Sequence, residues 1–254
     1  MKIKGLTLLV GLVLLFELAQ ARAANAAQLT ILCSNGMKAV MQEITPQFER
    51  ESGHTVVITY GVSADVNRQI AAGQPFDIVV LTPALIDELI EQRRIAADTR
   101  TVLARSPMAL AIRGDVPKPD ILTTEALKHT LLASRSLAFT EEGASGVFFA
   151  DLIQRFGLAD DLKLKIKLTK TGEEVGRAVA RGDAELGVMP VSEILPVHGI
   201  EVLGTFPAEV QGYLVMVAGM RADTAQSAAA RDWLRFLKAP STLRVIKKRG
   251  MEPG

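Results

Sequence analysis

Short apolar runs alternate with a helical spacing of apolar residues along most of the chain. The apolar runs predict β-strands over residues 29–33, 55–60, 77–81, 108–113, 136–140, 164–168, 186–189 and 213–218. The helical spacing predicts α-helices over residues 37–50, 64–72, 146–156, 173–181 and 225–237. Strands that alternate with helices are typical of a mainly parallel sheet with helices on its faces. The pattern therefore predicts an α/β fold.

Two loop-like stretches, residues 113–119 and 196–207, interrupt this pattern and divide the chain into three parts. The last part holds one predicted strand and one or two helices, which is too little to fold alone, so we expect it to complete the first part. The prediction is two lobes joined by two hinge crossings, near residues 109–114 and 205–212. The lobes are expected to span residues 28–110 plus 213–254 and residues 111–212.

Three of the predicted strands end in a turn that carries serine or glycine and leads into a helix. These turns contain Ser34, Asn35 and Gly36, then Ser63, and then Gly143, Ala144, Ser145 and Gly146. Helix N-termini have unpaired N–H groups and partial positive charge, so hydroxyl residues placed there hold an anion without a cation. Ligands of open α/β sheets bind at the carboxyl ends of strands. A cleft between the lobes would therefore collect all three turns.

Each turn also has a purely structural interpretation. Ser34 and Ser63 are residues that commonly cap helix N-termini, and residues 143–146 are compatible with a flexible turn. This last turn lacks the lysine and the Ser/Thr of a phosphate-binding P-loop, which argues against a nucleotide ligand. Arg105 and Arg113 flank the first crossing, where they would meet the charge of a ligand or form ion pairs.

The N-terminus has the features of a signal peptide. Lys2 and Lys4 precede an uncharged stretch over residues 5–16, and residues 21–23 form a small-x-small cleavage site. We therefore predict that residues 1–23 are removed on export to the periplasm, with an uncleaved anchor as the alternative. The single cysteine, Cys33, excludes an internal disulfide and is expected to be buried in a strand.

The charge balance argues against nucleic acid as a partner. The chain has 29 basic and 28 acidic residues, and removal of the signal peptide leaves 26 basic against 27 acidic residues. A nearly neutral chain without a basic block is not expected to bind nucleic acid. Any anion it binds is therefore expected to be held by dipoles rather than by bulk charge.

The residues needed for catalysis are scarce. His54, His129 and His198 are far apart in the sequence and show neither metal-ligand spacing nor a neighbouring nucleophile motif. Glu141 and Glu142 precede the third turn, but adjacent side chains diverge and no second acid–base partner is indicated. We therefore expect neither an enzyme nor a bound metal or cofactor.

The order and spacing of these motifs resemble those of a known protein family. The matching segments are residues 29–83, Val102 to Arg105, residues 143–157, residues 180–188 and Arg249 to Pro253. In these segments the chain resembles the periplasmic molybdate-binding proteins of ABC importers, which have the type II periplasmic binding-protein fold. The resemblance implies a monomeric receptor that closes on a small oxyanion such as molybdate or tungstate and delivers it to a permease in the inner membrane.

The resemblance also assigns ligand positions residue by residue. The serine of the second turn corresponds to Ser63, whereas the serine of the first turn falls on Gly36, two residues after Ser34. A backbone donor of the second lobe falls on Ser145, and the next falls near Gly172. The ligand-contacting tyrosine falls on Pro190, which has neither a hydroxyl nor an N–H.

Two alternatives stay open from the sequence. The same fold could bind a small organic carboxylate or another anion, because two of the matched ligand positions differ in this chain. A periplasmic sensor or interaction domain that signals to a membrane partner would share the fold without serving a transporter.

Overall fold

The computed structural model describes residues 26–254, so the predicted signal peptide over residues 1–23 lies outside the described residues. The strands are β1 (Gln28–Ser34), β2 (Thr55–Gly61), β3 (Ile78–Leu81), β4 (Thr101–Arg113), β5 (Leu137–Thr140), β6 (Ile166–Thr169), β7 (Leu186–Pro190), β8 (Ile200–Thr205), β9 (Tyr213–Met220) and β10 (Glu252–Pro253). The helices are α1 (Lys38–Ser52), α2 (Ser63–Ala71), α3 (Pro83–Glu91), α4 (Thr124–Ala133), α5 (Ala144–Arg155), α6 (Ala159–Leu162), α7 (Gly172–Ala180), α8 (Val191–Ile194), α9 (Ser227–Leu237) and α10 (Pro240–Lys248).

The strands form a continuous path in the order β2-β1-β3-β9-β4-β7-β5-β6, and β8 and β10 also pair with β4. The sets β2-β1-β3 and β6-β5-β7 are parallel, whereas β9 and β4 run antiparallel to their neighbours. We call the part built around β1 the first lobe and the part built around β5 the second lobe. This architecture confirms the predicted two-lobed α/β class.

Strand β4 joins the two lobes. Its residues 101–107 pair with β9 in the first lobe, and its residues 108–113 pair with β7 and β8 in the second lobe. Residues 108–112 of the second half are buried, and Ala109, Leu110 and Ala111 are fully buried. The predicted lobe limits at residues 110 and 213 remain a prediction.

The stretch 196–207, which the sequence analysis assigned to a loop, contains strand β8, so that assignment is wrong. Pro196 and Pro207 bound the stretch, and the polar Glu201 interrupts its apolar pattern. Pairing with β4 stabilises β8 even though most of its residues are only partly buried. Strand β6 also begins two residues later than predicted, because Leu164 is 98% exposed and lies before the strand.

Aromatic side chains fill the core of the first lobe beneath α1 and α9. Trp233 is fully buried, and its ring lies edge-on to Phe48 with centroids 4.8 Å apart. Cys33 is fully buried on β1, as the sequence predicted, and burial raises the pKa of its thiol well above the ordinary value. Phe48, Trp233 and Cys33 thus belong to one core that packs α1 and α9 against β1.

Among residues 26–254 no helix is long and apolar enough to cross a membrane. The same part of the chain has no cluster of His, Cys, Asp and Glu side chains that could hold a metal ion.

Candidate anion-binding site

A small cavity lies where the strand ends of both lobes meet. Its volume is about 30 Å³. It is lined by Ser34, Asn35, Val62, Ser63, Thr140, Gly143, Ala144, Ser145, Gly172, Pro190, Glu193 and Leu214. A water molecule needs about 10 to 15 Å³ by this measure, so the cavity admits only a small group. The structure thus brings together all the sequence-predicted site residues except Gly36.

Ser34 and Ser63 face each other across the first-lobe wall of this cavity. The Ser63 hydroxyl donates to the Ser34 hydroxyl over 3.0 Å. Neither side chain caps a helix, since Ser34 makes no capping hydrogen bond and the N-cap of α2 is Val62. Because Ser34 accepts from Ser63, its own O–H remains able to donate to a group in the cavity. The capping interpretation of these serines is therefore wrong.

Gly36 lies outside the cavity lining and has a packing role. An added Cβ there would lie 2.5 Å from Cδ2 of Leu214. Its carbonyl oxygen accepts a hydrogen bond from the Ser192 hydroxyl over 3.5 Å. A side chain at this position would therefore require Leu214 to move.

The second-lobe wall is built from the end of β5 and the start of α5. The hydroxyls of Thr140 and Ser145 lie 3.4 Å apart, and both residues are buried. An added Cβ at Gly146 would lie 1.6 Å from the Thr140 carbonyl oxygen, so glycine is required for the helix to begin this close to the strand. The first N–H groups of α5, at Ala144 and Ser145, have no intrahelical acceptor and stand beside the cavity. Sequence reasoning missed Thr140, although it is the last residue of the strand that leads into the third turn.

Gly172 and Glu193 form the side of the cavity that adjoins α7 and α8. Helix α7 begins at Gly172 and is capped by the Thr171 hydroxyl, which accepts from the Glu174 N–H. An added Cβ on Gly172 would lie 1.7 Å from Oε2 of Glu193, so the carboxyl rests directly on the glycine. Burial raises the pKa of Glu193 from 4.5 to about 7.

Glu193 is the second functional residue that sequence reasoning missed. It lies on the one-turn helix α8, three residues after Pro190, and no motif surrounds it. Pro190 itself lines the cavity and contributes no donor. The sequence signal that would have found Glu193 is its position directly after the end of a buried strand.

A larger cleft of about 950 Å³ adjoins the cavity and shares Asn35, Val62 and Glu193 with it. Its charged lining residues are Lys38, Asp65, Arg68, Glu173 and Arg177. Nζ of Lys38 lies 3.5 Å from Oε2 of Glu173, which connects the first lobe to the second. Arg68 reaches Glu142 of the second lobe over 2.9 Å and also pairs with Asp65.

The two spaces differ in how they would hold negative charge. Within the described chain, no lysine or arginine lines the small cavity, so only hydroxyls and N–H groups face an anion there. Of these two spaces, the outer cleft is the one whose described lining includes cations. Arg105 and Arg113 lie elsewhere and pair with Glu252 and Asp115.

The chain matches the family model described as "Bacterial extracellular solute-binding protein" over residues 29–252. An aconitate isomerase of a Pseudomonas species is 30% identical and covers 97% of this chain and 96% of its own length. A molybdate-binding protein of Escherichia coli is 26% identical, with 97% of each chain covered. The structure of the periplasmic molybdate-binding protein of Azotobacter vinelandii superposes with a TM-score of 0.75 at 22% identity, over 88% of this chain and 98% of that one.

The structural likeness to the Azotobacter protein agrees with the two-lobed fold, and the resemblance to molybdate-binding proteins is confirmed in sequence and in structure. The chain belongs to the family of bacterial extracellular solute-binding proteins.

Proposed function

We propose that this protein is a periplasmic receptor for an organic anion with at least two carboxylates. One carboxylate would occupy the small cavity, where the hydroxyls and the helix N-termini donate hydrogen bonds. A second carboxylate would extend into the outer cleft toward Lys38, Arg68 and Arg177. The observation that carries the proposal is the adjacency of the 30 Å³ donor-lined cavity and the 950 Å³ cleft with cationic walls.

The lining of the small cavity favours an elongated organic ligand over a compact dianion. A tetrahedral oxyanion needs donors on all sides, and each hydrogen bond to a charged group contributes about 1.5 to 3 kcal/mol. Here one side of the cavity is Pro190, which has no donor, and another is the Glu193 carboxyl. A carboxylate group, in contrast, is flat and needs donors on only one side.

Aconitate, a tricarboxylate, is the first organic probe because the relative at 30% identity is named an aconitate isomerase. This likeness covers 97% of the chain and therefore includes both walls of the cleft. It supports an organic acid as the ligand class without naming the physiological acid.

Molybdate or tungstate is the second candidate ligand. The observation that favours it is the Ser34–Ser63 hydroxyl pair, in which Ser63 corresponds to a ligand serine of the family, together with the molybdate-binding names of several relatives. In that case Ser145, Thr140 and the Ala144 N–H would supply donors from the second lobe. A protonated Glu193 would then add an O–H donor.

Ligand binding would drive closure of the lobes about β4 and the connection that follows β8. An anion held by Ser63 in one lobe and Ser145 in the other contacts both, so it stabilises the closed arrangement over the open one. We propose that the closed form is presented to an ABC permease in the inner membrane, consistent with the predicted signal peptide. A periplasmic sensor is the rival of a different class, and a neighbouring permease gene would argue against it.

A thermal-shift panel tests the proposal. The mature protein would be heated with cis-aconitate, trans-aconitate, citrate, succinate, molybdate, tungstate and sulfate, each at millimolar concentration. A ligand present at a hundred times its Kd stabilises the folded state by about 2.7 kcal/mol, which is several degrees in Tm. We expect a shift with at least one polycarboxylate. A shift with molybdate or tungstate alone would select the second candidate, and no shift with any anion would refute both.

A further inference from the structure

Glu193 is the only carboxylate that lines the small cavity within residues 26–254, and it also borders the outer cleft. Its carboxyl makes no hydrogen bond and no ion pair with any residue from 26 to 254. The other acidic residues of the cleft differ from it, because Asp65 pairs with Arg68 and Glu173 pairs with Lys38 and Arg177. A carboxylate that adjoins a cavity and neutralises no cation has no structural role in the contacts around it.

The position of Glu193 is set by packing on both sides. The preceding Ser192 donates its N–H to the Ser106 hydroxyl over 3.1 Å, and the following Ile194 is 1% exposed. The carboxyl itself rests on Gly172, where any Cβ would collide with it. These contacts hold the carboxyl at the boundary between the cavity and the cleft, which is where the carbon chain of a bound polycarboxylate would pass.

We propose that Glu193 transfers a proton between two carbon atoms of the bound organic anion, so that the protein catalyses the 1,3-shift of a double bond in an unsaturated polycarboxylate. This inference rests on the proposed function, because it requires a carboxylate of the same ligand to occupy the small cavity. It goes beyond binding, and it departs from the expectation of a non-enzyme that followed from the absence of sequence motifs.

The reaction balances without any co-reactant. The Glu193 carboxylate removes a proton from a CH₂ group next to the double bond, and the C–H electron pair moves into the conjugated system. Negative charge then accumulates on the oxygens of a conjugated carboxylate. The protonated Glu193 returns the proton to the far carbon of the former double bond, so one C–H bond breaks, another forms, and the double bond moves by one position.

The cavity supplies the stabilisation that this intermediate requires. Hydroxyls of Ser34, Ser63 and Ser145 and the first N–H groups of α5 face the carboxylate oxygens on which the charge grows. Fixed donors in a water-poor site stabilise such developing charge more strongly than water does. The donors that line the small cavity therefore act as an oxyanion hole, and Glu193 acts as the general base.

The protonation state of Glu193 suits this role. A general base is most effective when its pKa lies near the working pH, and burial places the pKa of Glu193 at about 7. The charged groups that face the same space are Lys38, Asp65, Arg68, Glu173 and Arg177 across the outer cleft. None of them bonds to Glu193, and burial is the cause of its shift.

Proton exchange in D₂O tests the inference separately from isomerisation. Wild-type protein would be incubated with cis-aconitate or trans-aconitate, and ¹H NMR would follow deuterium entry at carbon and conversion between the isomers. Binding would be measured on the same samples by calorimetry. We expect exchange and isomerisation by the wild type, at rates that rise with pH through about 7 as Glu193 loses its proton.

Three variants make the test specific. Glu193→Gln is expected to bind aconitate and to lose at least a hundredfold in exchange rate, since general base catalysis contributes about 10² to 10⁴-fold. Glu193→Asp keeps a carboxylate, so it should keep measurable exchange even if it is slow. Glu201→Gln changes an exposed carboxylate that pairs with Lys118 on the surface of the second lobe, and it should behave as wild type.

The outcomes separate the two proposals. Wild-type binding without deuterium entry would overturn this inference and leave the proposed function intact. Exchange by Glu193→Gln at the wild-type rate would also overturn it. If neither aconitate isomer, citrate nor succinate binds the wild type, the proposed function fails, and this inference fails with it.

Discussion

The hydroxyl of Ser63 lies 3.0 Å from the hydroxyl of Ser34, and the two side chains form the first-lobe wall of the small cavity. Ser63 is the first residue of α2, and Ser34 is the last residue of β1. The pair links a strand end to a helix start without capping either one. Because Ser63 donates to Ser34, the Ser34 O–H is free to donate to a ligand. Loss of this arrangement should therefore weaken ligand binding.

Ser63→Ala should weaken anion binding by about tenfold to a hundredfold, because it removes the hydroxyl that orients the Ser34 O–H toward the ligand, and a hydrogen bond to a charged group contributes about 1.5 to 3 kcal/mol. Stability should change little, because the hydroxyl is not a helix cap. Calorimetric titration and thermal unfolding of the same preparation check both halves of the prediction. Wild-type affinity in the variant would mean that the serine pair serves only packing.

Glu193→Gln should raise stability at alkaline pH. The folded state holds a proton on Glu193 up to about pH 7, whereas the unfolded chain releases it near pH 4.5. The folded state therefore binds more protons between these values, and wild-type stability falls as pH rises through that window. Above pH 7 the buried charge costs about 3 kcal/mol, or several degrees in Tm.

Unfolding curves of wild type and Glu193→Gln from pH 4 to pH 9 give the measurement. The neutral amide carries no such cost, so the two curves should coincide near pH 4 and diverge as pH rises. A stability difference that is the same at every pH would show that Glu193 titrates normally.

Two glycines next to the cavity should respond differently to alanine. At Gly172 the new Cβ would meet only the end of the flexible Glu193 side chain, so the protein should fold with Glu193 displaced and with impaired ligand binding. At Gly146 the new Cβ would lie 1.6 Å from the backbone oxygen of Thr140, which cannot rotate away. Gly146→Ala should therefore lower the free energy of unfolding much more than Gly172→Ala, as thermal unfolding would show.

Glu142→Gln should loosen the closed arrangement of the lobes. It removes the 2.9 Å contact with Arg68, which joins the lobes, and both side chains are more than half exposed. Exposed ion pairs contribute little and are screened by salt, so ligand affinity should fall by less than about fivefold at low ionic strength.

The loss of affinity in Glu142→Gln should disappear in high salt. A matched control is Glu125→Gln, which removes a contact with Lys128 inside the single helix α4 and should leave affinity unchanged. Equal losses in the two variants would contradict a role for Arg68 and Glu142 in closure.

Much of the fold was predictable because its strands are short apolar runs that end at turn residues. Edge strand β8 was not, since its pairing with β4 stabilises a segment whose own pattern suggests a loop. Strand β4 was predicted only in its second half, because the polar Arg105 and Ser106 interrupt its apolar pattern.

The residues of the candidate site could be predicted where they follow strand ends in serine-containing turns. They could not be predicted where packing between residues distant in sequence places them at the cavity. Ser34, Ser63 and Ser145 follow strand ends, and the structure places them around one cavity. Gly36 was assigned from its place in the first turn and from the resemblance, but it does not line the cavity and packs beside Leu214. Glu193 became visible only with the structure, because its exposure to the cavity and its contact with Gly172 come from residues distant in sequence.

Calorimetric titration of the mature wild-type protein with trans-aconitate and with molybdate, side by side at pH 7, tests most directly whether the cavity holds the carboxylate of an organic acid. The account predicts one binding site per chain for the tricarboxylate and much weaker binding or none for molybdate. Tight binding of molybdate, with no heat from trans-aconitate at millimolar concentration, would contradict it.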